Sequence, residues 1–297
     1  MMAVKAMLRR NVKLFFKDKG MFFTSLITPM ILLVLYATFL ANVYRDSFLQ
    51  GMPAGITLAE NILDGLVGGQ LATSLLAVSC VTVSFCSNFL MVQDRANGTA
   101  RDLGMCPVRS SVLSVGYYGA TLISTGIICF AAMAVCLGYI AMTGWYLSAM
   151  DVVYMALDVL VLVLFGTALS SVVNFFLSTQ GQISAVGSIV SAGYGFICGA
   201  YMPISSFGSG LQKVVSLLPG TYGTSLLRNH ALGGVFSEMQ SQGIPREVLD
   251  SMKDLLDCNV YFFGTAVSVP VMYAIVTGTG VFLLGVYVLL NTRRKRF

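Results

Sequence analysis

Charged side chains of both signs cluster in residues 93–109, a short polar segment between two long apolar stretches of the chain. They are Asp94, Arg95, Arg101, Asp102 and Arg109. Carboxylates interspersed with guanidinium groups can form directional ion pairs with a complementary surface, whereas a block of one sign gives only bulk attraction. The pattern therefore predicts specific polar contacts with another polypeptide. A plain polar connector between two spans is the simpler alternative.

The sequence contains none of the motifs of common catalytic and nucleotide-binding sites. It has no GxxxxGK[ST] phosphate loop, no HExxH, no GxSxG and no DxDxDG. Its seven cysteines form neither a CxxC pair nor a disulfide framework. We therefore expect no catalytic residue, no metal site and no cofactor bound by this chain. A solvated or locally hydrogen-bonded role is expected for His230, the only histidine.

Composition places the chain in a membrane. Hydrophobic residues make up 56% of it, charged residues 10%, and the mean hydropathy is +0.80, whereas a soluble domain carries about 25% charged residues. Six apolar stretches approach the roughly 20 residues that a helix needs to cross a bilayer: 21–41, 71–92, 117–141, 152–176, 183–201 and 266–290. None alternates with period two, so we expect helices rather than barrel strands. The predicted fold is a single all-α polytopic membrane domain, residues 1–297, with short re-entrant helices in residues 202–265 between spans five and six.

Basic residues determine the expected orientation. Thirteen of the eighteen Lys and Arg fall in three segments that an even number of spans places on one side: Lys5, Arg9, Arg10, Lys13, Lys17, Lys19, Arg95, Arg101, Arg109, Arg293, Arg294, Lys295 and Arg296. The positive-inside rule makes that side the cytoplasm, so both termini are expected there. The expected location is the cell membrane of a bacterium. The net charge of +5 then reflects topology and attraction to anionic lipid, and we expect no nucleic-acid partner.

Residues 1–20 are predicted to form an amphipathic helix. Lys5, Arg9, Lys13 and Lys17 recur every fourth residue along one face, and apolar side chains gather opposite them. Such a helix lies on a membrane surface with its apolar face among the acyl chains. Two uses remain open, a topology anchor or a lever packed against a cytoplasmic partner. Pro29 is expected to kink the first span.

Small residues recur every four positions in the predicted fifth span, at Gly187, Ser191, Gly195 and Gly199. Because lipid gives helices no hydrophobic reason to associate, close backbone packing along such a face drives their contact. Packing within one subunit and packing across a dimer both fit the pattern.

Asp158 is the one good candidate for a functional charge inside a span. At 1.5 Å per residue it lies about 10 Å from Asp151, within reach of headgroups or external water. A structural or interfacial role is therefore expected, and a cavity or proton-linked role is the alternative.

Three short motifs follow one another along the chain: Asp94 with Gly98-Thr99 and Pro107, then Gly199-x-Tyr201-Met202-Pro203, then Leu218-Pro219-Gly220 with Leu227-Arg228. Together with six spans and a basic surface helix before the first, this order resembles the permease subunits of type-two ATP-binding-cassette exporters. In that family the loop reads acid-x-x-x-Gly-Thr and then Thr-Pro, so Gly98, Thr99 and Pro107 match. An acid is commoner in the family where this chain has Arg101 or the residue before it.

The resemblance implies a half-transporter that carries no ATPase of its own. Two permeases would pair as a homodimer or pseudo-dimer, and for that reason we favour the dimer interface for the small-residue stripe. A separate ATPase subunit would bind ATP and Mg²⁺ and dock on the surface helix and on a coupling loop at residues 93–110. The ATPase-coupling residues would be Asp94, Arg95, Gly98, Thr99, Arg101, Asp102 and Pro107.

The spans offer apolar and small polar side chains but no charged pocket. Phe85, Phe89, Ser188 and Tyr194 are the expected lining of a substrate path, which suits export of a hydrophobic or amphipathic cargo such as a drug, a lipid-like molecule or a peptide. The competing class is an ion-coupled secondary transporter or channel, for which inverted repeats and paired ionisable groups would be the signs. A membrane-embedded enzyme would need paired carboxylates or a Cys/His constellation at one depth, and the sequence offers neither.

Overall fold

A computed structural model describes residues 2–50, 59–106 and 110–293. Residues 107–109 of the predicted coupling loop, which include Pro107 and Arg109, and three of the C-terminal basic residues lie outside these ranges. The described chain forms twelve α-helices: α1 Met2–Lys17, α2 Lys19–Leu35, α3 Ala41–Gln50, α4 Glu60–Ala96, α5 Thr99–Met105, α6 Ser110–Thr143, α7 Ala149–Phe175, α8 Gln180–Ile197, α9 Ser209–Val215, α10 Pro219–Ser241, α11 Arg246–Leu255 and α12 Val269–Arg293.

Shorter elements join some of these helices. A π-helical turn, Tyr36–Leu40, links α2 to α3, and a 3₁₀ turn, Ile204–Ser206, precedes α9. Two strands, β1 Tyr261–Phe262 and β2 Thr265–Ala266, form an antiparallel hairpin just before α12. We call the two ends of the bundle the α5 end and the hairpin end.

Five helical segments are long and apolar enough to cross a membrane: Lys19–Asp46, Glu60–Ala96, Ser111–Thr143, Ala149–Phe175 and Val269–Arg293. Each overlaps one of the predicted spans, and the expectation of an all-α polytopic membrane protein is confirmed. The predicted fifth span forms α8, whose 18 residues rise about 27 Å. Its first turn carries Gln180 and Gln182, and Gly and Ser recur along it, so it is less apolar than the other five. The sixth crossing therefore stays a prediction.

Helix α4 is the centre of the bundle. It packs against α2, α6, α7, α8 and α10, and every residue from Gly65 to Val92 is buried. Some of its hydroxyls donate to the carbonyl one turn earlier on the helix: Thr73 donates to the Gly69 carbonyl and Ser79 to the Leu75 carbonyl. The helix begins at Glu60 rather than near Leu71 as predicted, because glycines in the added turns allow α6 and α10 to approach closely.

Most of the buried residues in the segment 202–265 lie in α10. This helix begins with Pro219 at its first turn and packs on α4, α7 and α12. Helix α11 follows Pro245 and buries Leu249 and Met252 on one face. How deeply this segment re-enters the membrane stays a prediction.

Candidate functional site

Helix α1 packs along α6 at the α5 end of the bundle. A Cβ placed on Gly116 would lie 2.8 Å from the Met7 Cβ, and one on Gly119 would lie 2.7 Å from Leu8 Cδ2. These two glycines form a groove for the apolar face of α1, which also buries Phe15. The expectation that this face lies among acyl chains is therefore wrong for Met7 and Phe15, which the bundle covers, whereas Leu14 on the same face stays 37% exposed.

The opposite face of α1 carries the predicted basic stripe. Lys5, Arg9, Lys13 and Lys17 are all exposed. This face of α1 therefore presents four cations to the surroundings of the α5 end rather than to the bundle.

The Asp94 carboxylate connects three helices at this end. Arg10 on α1 donates to it in a bidentate pair, with Nη1 at 2.8 Å from Oδ2 and Nη2 at 3.1 Å from Oδ1. The Tyr117 hydroxyl on α6 donates to Oδ2 at 2.6 Å. Hydrogen bonding to Asp94 raises the pKa of Arg10 above its usual value. Asp94 is buried in this cluster, so it is not available as a surface contact.

Arg95 is also used within the chain. Its Nη1 donates to the carbonyls of Asn174, Phe175 and Leu177 at 3.1, 2.8 and 3.2 Å. Its guanidinium carbon lies 5.5 Å from the centroid of the Phe175 ring. The last carbonyls of a helix lack intrahelical donors and favour a cation, so Arg95 caps the C-terminus of α7 and joins it to the end of α4.

A sharp turn then leads into α5. Gly98 has a φ of 82°, in the left-handed region that favours glycine. Leu103 packs against the small cluster formed by Met7, Met91, Tyr117 and Tyr287. On the other side of α5, Arg101 and Asp102 are exposed, and Met105 is 78% exposed. This short helix therefore presents a cation, an anion and an apolar side chain outward, on a base held by the bundle.

An open cavity of about 1080 Å³ lies between α2, α4 and α8. Phe89 and Ser188, two residues of the predicted substrate path, line it. Its walls are mainly apolar, and Asp18 and Gln93 add polar groups toward the α5 end. Phe85 and Tyr194 do not belong to the lining: both are buried, and the Tyr194 ring packs against Gly220. Within the described residues, no group of three or more His, Cys, Asp or Glu could hold a metal ion.

A family model described as ABC-2 type transporter matches residues 2–231. The chain belongs to the ABC-2 type transporter family. It is therefore a multi-pass membrane permease of an ATP-binding-cassette transporter, and membership implies a partnering ATP-binding subunit. No curated protein matches the chain.

The small-residue stripe of this ABC-2 permease is not one continuous open face. Gly187 and Ser191 line the cavity. A Cβ on Gly195 would overlap the Tyr201 ring of the same chain, and Gly199 turns the backbone at a φ of 72° beside Ile204. The dimer interface predicted for four residues is thus covered at two of them, because the segment after α8 folds back over the helix end.

A second buried cluster of the permease lies at the hairpin end. Arg228 on α10 donates to Asp257 at 3.0 Å, to the Gly199 carbonyl at 2.7 Å and to the Ser74 hydroxyl at 3.3 Å. Asp257 also accepts from the Ile204 backbone N–H. Burial raises the pKa of Asp257 above its usual 3.8, and Arg228 opposes that effect.

Asp158 lies in a third cluster of the permease. Its Oδ2 is 2.7 Å from His230 Nδ1, and its Oδ1 accepts from the Tyr273 hydroxyl. The His230 ring stacks on Tyr154 with 5.0 Å between centroids. Asp158 is fully enclosed, so the expected contact with headgroups or external water is wrong, because α10 and α12 cover it. His230 makes the local hydrogen bond expected of it.

Sequence reasoning missed Arg10 and Tyr117 at the α5 end. Arg10 is 84 residues from Asp94 and was counted only among the basic residues. One signal was available: Arg10 lies off the stripe that begins at Lys5, on the side of α1 that carries Met7. Asp94 at the end of α4 needs a cationic partner once it is buried, and Arg10 is a cation on the side of α1 that faces the bundle.

Proposed function

We propose that this permease exports a hydrophobic or amphipathic molecule from the cell, driven by ATP hydrolysis on a separate ATPase subunit that binds ATP and Mg²⁺. In this proposal the α5 end and both termini face the cytoplasm of a bacterium. Two permeases pair as a homodimer or pseudo-dimer, and one ATPase docks on each. The distribution of basic residues supports this orientation.

The observation that carries the proposal is the construction of the α5 end. An exposed helix of seven residues is tied through the two preceding side chains, Asp94 and Arg95, to α1, α6 and the end of α7. A push on the exposed face of α5 is therefore delivered to several helices at once. A plain connector between two spans needs no such set of contacts.

The mechanism follows from those contacts. The ATPase contacts Arg101, Asp102 and Met105, while the basic stripe of α1 contacts the ATPase or anionic lipid beside it. Closure of the paired ATPases displaces α5. Because Arg10 and Tyr117 hold Asp94, α1 and α6 move with the end of α4, and α7 follows through Arg95. The resulting tilt changes access to the cavity between α2, α4 and α8.

The cavity supports the substrate class. Its lining combines Ile, Leu and Phe side chains with Ser and Thr hydroxyls, and Asp18 is the single charged group among the lining residues. A pocket of this kind binds a molecule that is mostly apolar with a few polar groups. Phe89 and Ser188 remain in the proposed path, and Gly187 and Ser191 join them.

Co-purification and reconstitution test the proposal. A cytosolic ATPase with Walker motifs should purify with the wild-type permease, and Arg101→Glu should weaken that association. Arg246→Glu is the matched control, because Arg246 is also an exposed cation but lies at the hairpin end. In proteoliposomes, transport should require both subunits and ATP. Flux driven by a proton or sodium gradient through the permease alone would contradict the proposal and establish an ion-coupled carrier.

A further inference from the structure

The hairpin before α12 projects from the bundle with its aromatic side chains uncovered. Tyr261 pairs with Ala266 and Phe262 with Thr265, and the Val267 N–H donates to the Val260 carbonyl at 2.9 Å. The side chains on both faces of the two strands are exposed. Tyr261, Phe262 and Phe263 are consecutive and 46%, 43% and 64% exposed.

The turn at the tip does not call for an aromatic residue. Phe263 has a φ of 47° and Gly264 a φ of 89°, so two residues with left-handed backbone connect the strands. Such turns favour Asn-Gly or Asp-Gly, and a bulky side chain at positive φ is unusual. The Phe263 ring therefore stands at the outermost point of the hairpin despite a backbone that disfavours it.

The hairpin is continuous with a membrane-spanning helix. Only Val267 and Ser268 separate β2 from α12, and the Ser268 carbonyl accepts from the N–H groups of Val271 and Met272. Val271, in the first turn of α12, is exposed on the apolar surface of that span. Phe263 at the tip is six residues before Val269, so at about 3.3 Å per residue the tip lies within about 20 Å of the point where α12 begins.

We propose that the tip of this hairpin inserts into the headgroup–acyl boundary of the membrane leaflet at which α12 begins, with phospholipid as its ligand. Phe262 and Phe263 contact the upper acyl chains. The Tyr261 hydroxyl stays with the protein, since it donates to Asp254 at 2.9 Å. Phe is among the side chains that interfacial segments bury at the headgroup–acyl boundary, because burial there removes the apolar ring from water.

Size and position favour lipid over a protein partner. A stable protein interface buries about 800 Å² on each side, and a hairpin with two residues in each strand is too small to supply it. Helix α12 is a candidate membrane span with exposed apolar side chains, so lipid is expected beside the hairpin without any partner protein having to bind. The hairpin also lies beyond residue 231, where the match to the transporter family ends. The inference therefore does not rest on the proposed transport.

Tryptophan fluorescence tests the inference in the full chain. The native protein has a single tryptophan, Trp145, so Trp145→Phe gives a silent background into which Phe263→Trp is introduced. The variant is reconstituted into phosphatidylcholine nanodiscs whose acyl chains carry bromine near the carbonyl end. We expect blue-shifted emission and loss of most of it to the brominated lipid, with little quenching by aqueous iodide.

Gln242→Trp in the same background is the matched control, because Gln242 is exposed in the turn after α10 at the same end. It should emit at longer wavelength, resist the brominated lipid and respond to iodide. Phe262→Trp provides a second reporter if Phe263→Trp disturbs the turn. Iodide quenching of both hairpin tryptophans, or emission that neither quencher reaches, would overturn the inference: the first result means water contact and the second a covering protein.

Discussion

An arginine–aspartate pair stands at each end of the helix bundle, and the two pairs differ in how completely protein encloses them. The Arg10 and Asp94 side chains are 29% and 9% exposed, whereas those of Arg228 and Asp257 are 1% and 6% exposed. The first pair connects the surface helix to the end of α4. The second connects α10 to the segment after α8 and to the loop that precedes the hairpin.

The difference in enclosure implies a difference in mobility. Separating Arg228 from Asp257 would leave both charges inside protein, which is strongly unfavourable. Arg10 can exchange part of its contact with Asp94 for water, because its guanidinium already reaches solvent. We therefore expect the hairpin end to act as the fixed part of the permease and the α5 end as the part that moves.

The largest effect is expected from Arg228→Met. This change leaves Asp257 buried without its cation and should lower the free energy of unfolding by about 3–5 kcal/mol, measured by denaturant titration in a mild detergent. Arg246→Met, an exposed arginine at the same end, is the control and should have little effect. Adding Asp257→Asn to Arg228→Met should recover part of the loss, because Asn removes the unpaired charge and tolerates the φ of 51° at this position. Equal stability of Arg228→Met and Arg246→Met would remove the contrast between the two ends.

A smaller loss is expected at the α5 end. Arg10→Met should lower the free energy of unfolding by about 1.5 kcal/mol, near the lower limit for a hydrogen bond to a charged group, because Arg10 is part-exposed. A double-mutant cycle with Asp94→Asn should give a coupling energy between about 0.5 and 3 kcal/mol. The same variants should also separate ATP hydrolysis from transport. A loss as large as that of Arg228→Met would show that the two pairs are equally fixed.

Glycine substitutions compare the turns at the two ends. Gly98→Ala should cost about 1–2 kcal/mol for the left-handed backbone alone, since no atom lies within 4 Å of an added Cβ. Gly199→Ala should cost more, because its Cβ would also meet Ile204 Cγ1 at 3.0 Å. Gly104→Ala, in α5 with open space around it, is the control and should be neutral or stabilising. Thermal unfolding of the three variants gives the order, and Gly98→Ala matching Gly104→Ala would contradict it.

The smallest effect on stability is expected from Met105→Ser. Met105 is largely exposed, so the free energy of unfolding should change by no more than about 0.5 kcal/mol. If the ATPase buries this side chain, its affinity should fall about tenfold, equivalent to about 1.4 kcal/mol. Isothermal titration or surface binding measures the affinity. Met142→Ser is the control, since Met142 is similarly exposed at the hairpin end; equal affinities for the two variants would remove α5 from the docking surface.

Most of the fold could be predicted from the length, hydropathy and periodicity of the apolar stretches. Length and hydropathy predicted five spans that the structure also shows, because a lipid-facing helix must be apolar along its whole length. The exposed face of α1 followed from a different signal, the recurrence of Lys5, Arg9, Lys13 and Lys17 every fourth residue on one side of a helix. The sequence did not predict that α6 covers the other side of α1. The pattern within one helix does not identify its neighbour, and the contact depends on Gly116 and Gly119 of α6.

Pairings across the sequence were the hardest part of the sites to predict. Asp94 and Arg95 were predicted as contacts with a partner because they lie in a polar loop, yet the structure turns them inward to Arg10 and to the end of α7. Asp158 was judged by its depth in one span, and the two helices that cover it, α10 and α12, lie far from it in the sequence. A carboxylate or guanidinium is selected by what it touches, and those contacts arise only when the helices pack.

The π-helical turn Tyr36–Leu40 sets a constraint on chain length in the first span. Buried residues along this segment recur mostly every four positions: Met21, Ser25, Pro29, Leu32, Tyr36, Tyr44 and Phe48. A repeat of four drifts by about 40° per turn on an α-helix of 3.6 residues per turn, and the wider π-turn absorbs part of that drift. Deleting one residue there would rotate Tyr44 and Phe48 by about 100°, away from the core and toward lipid. Evolution of this span can therefore exchange its side chains more readily than it can lose or gain a residue.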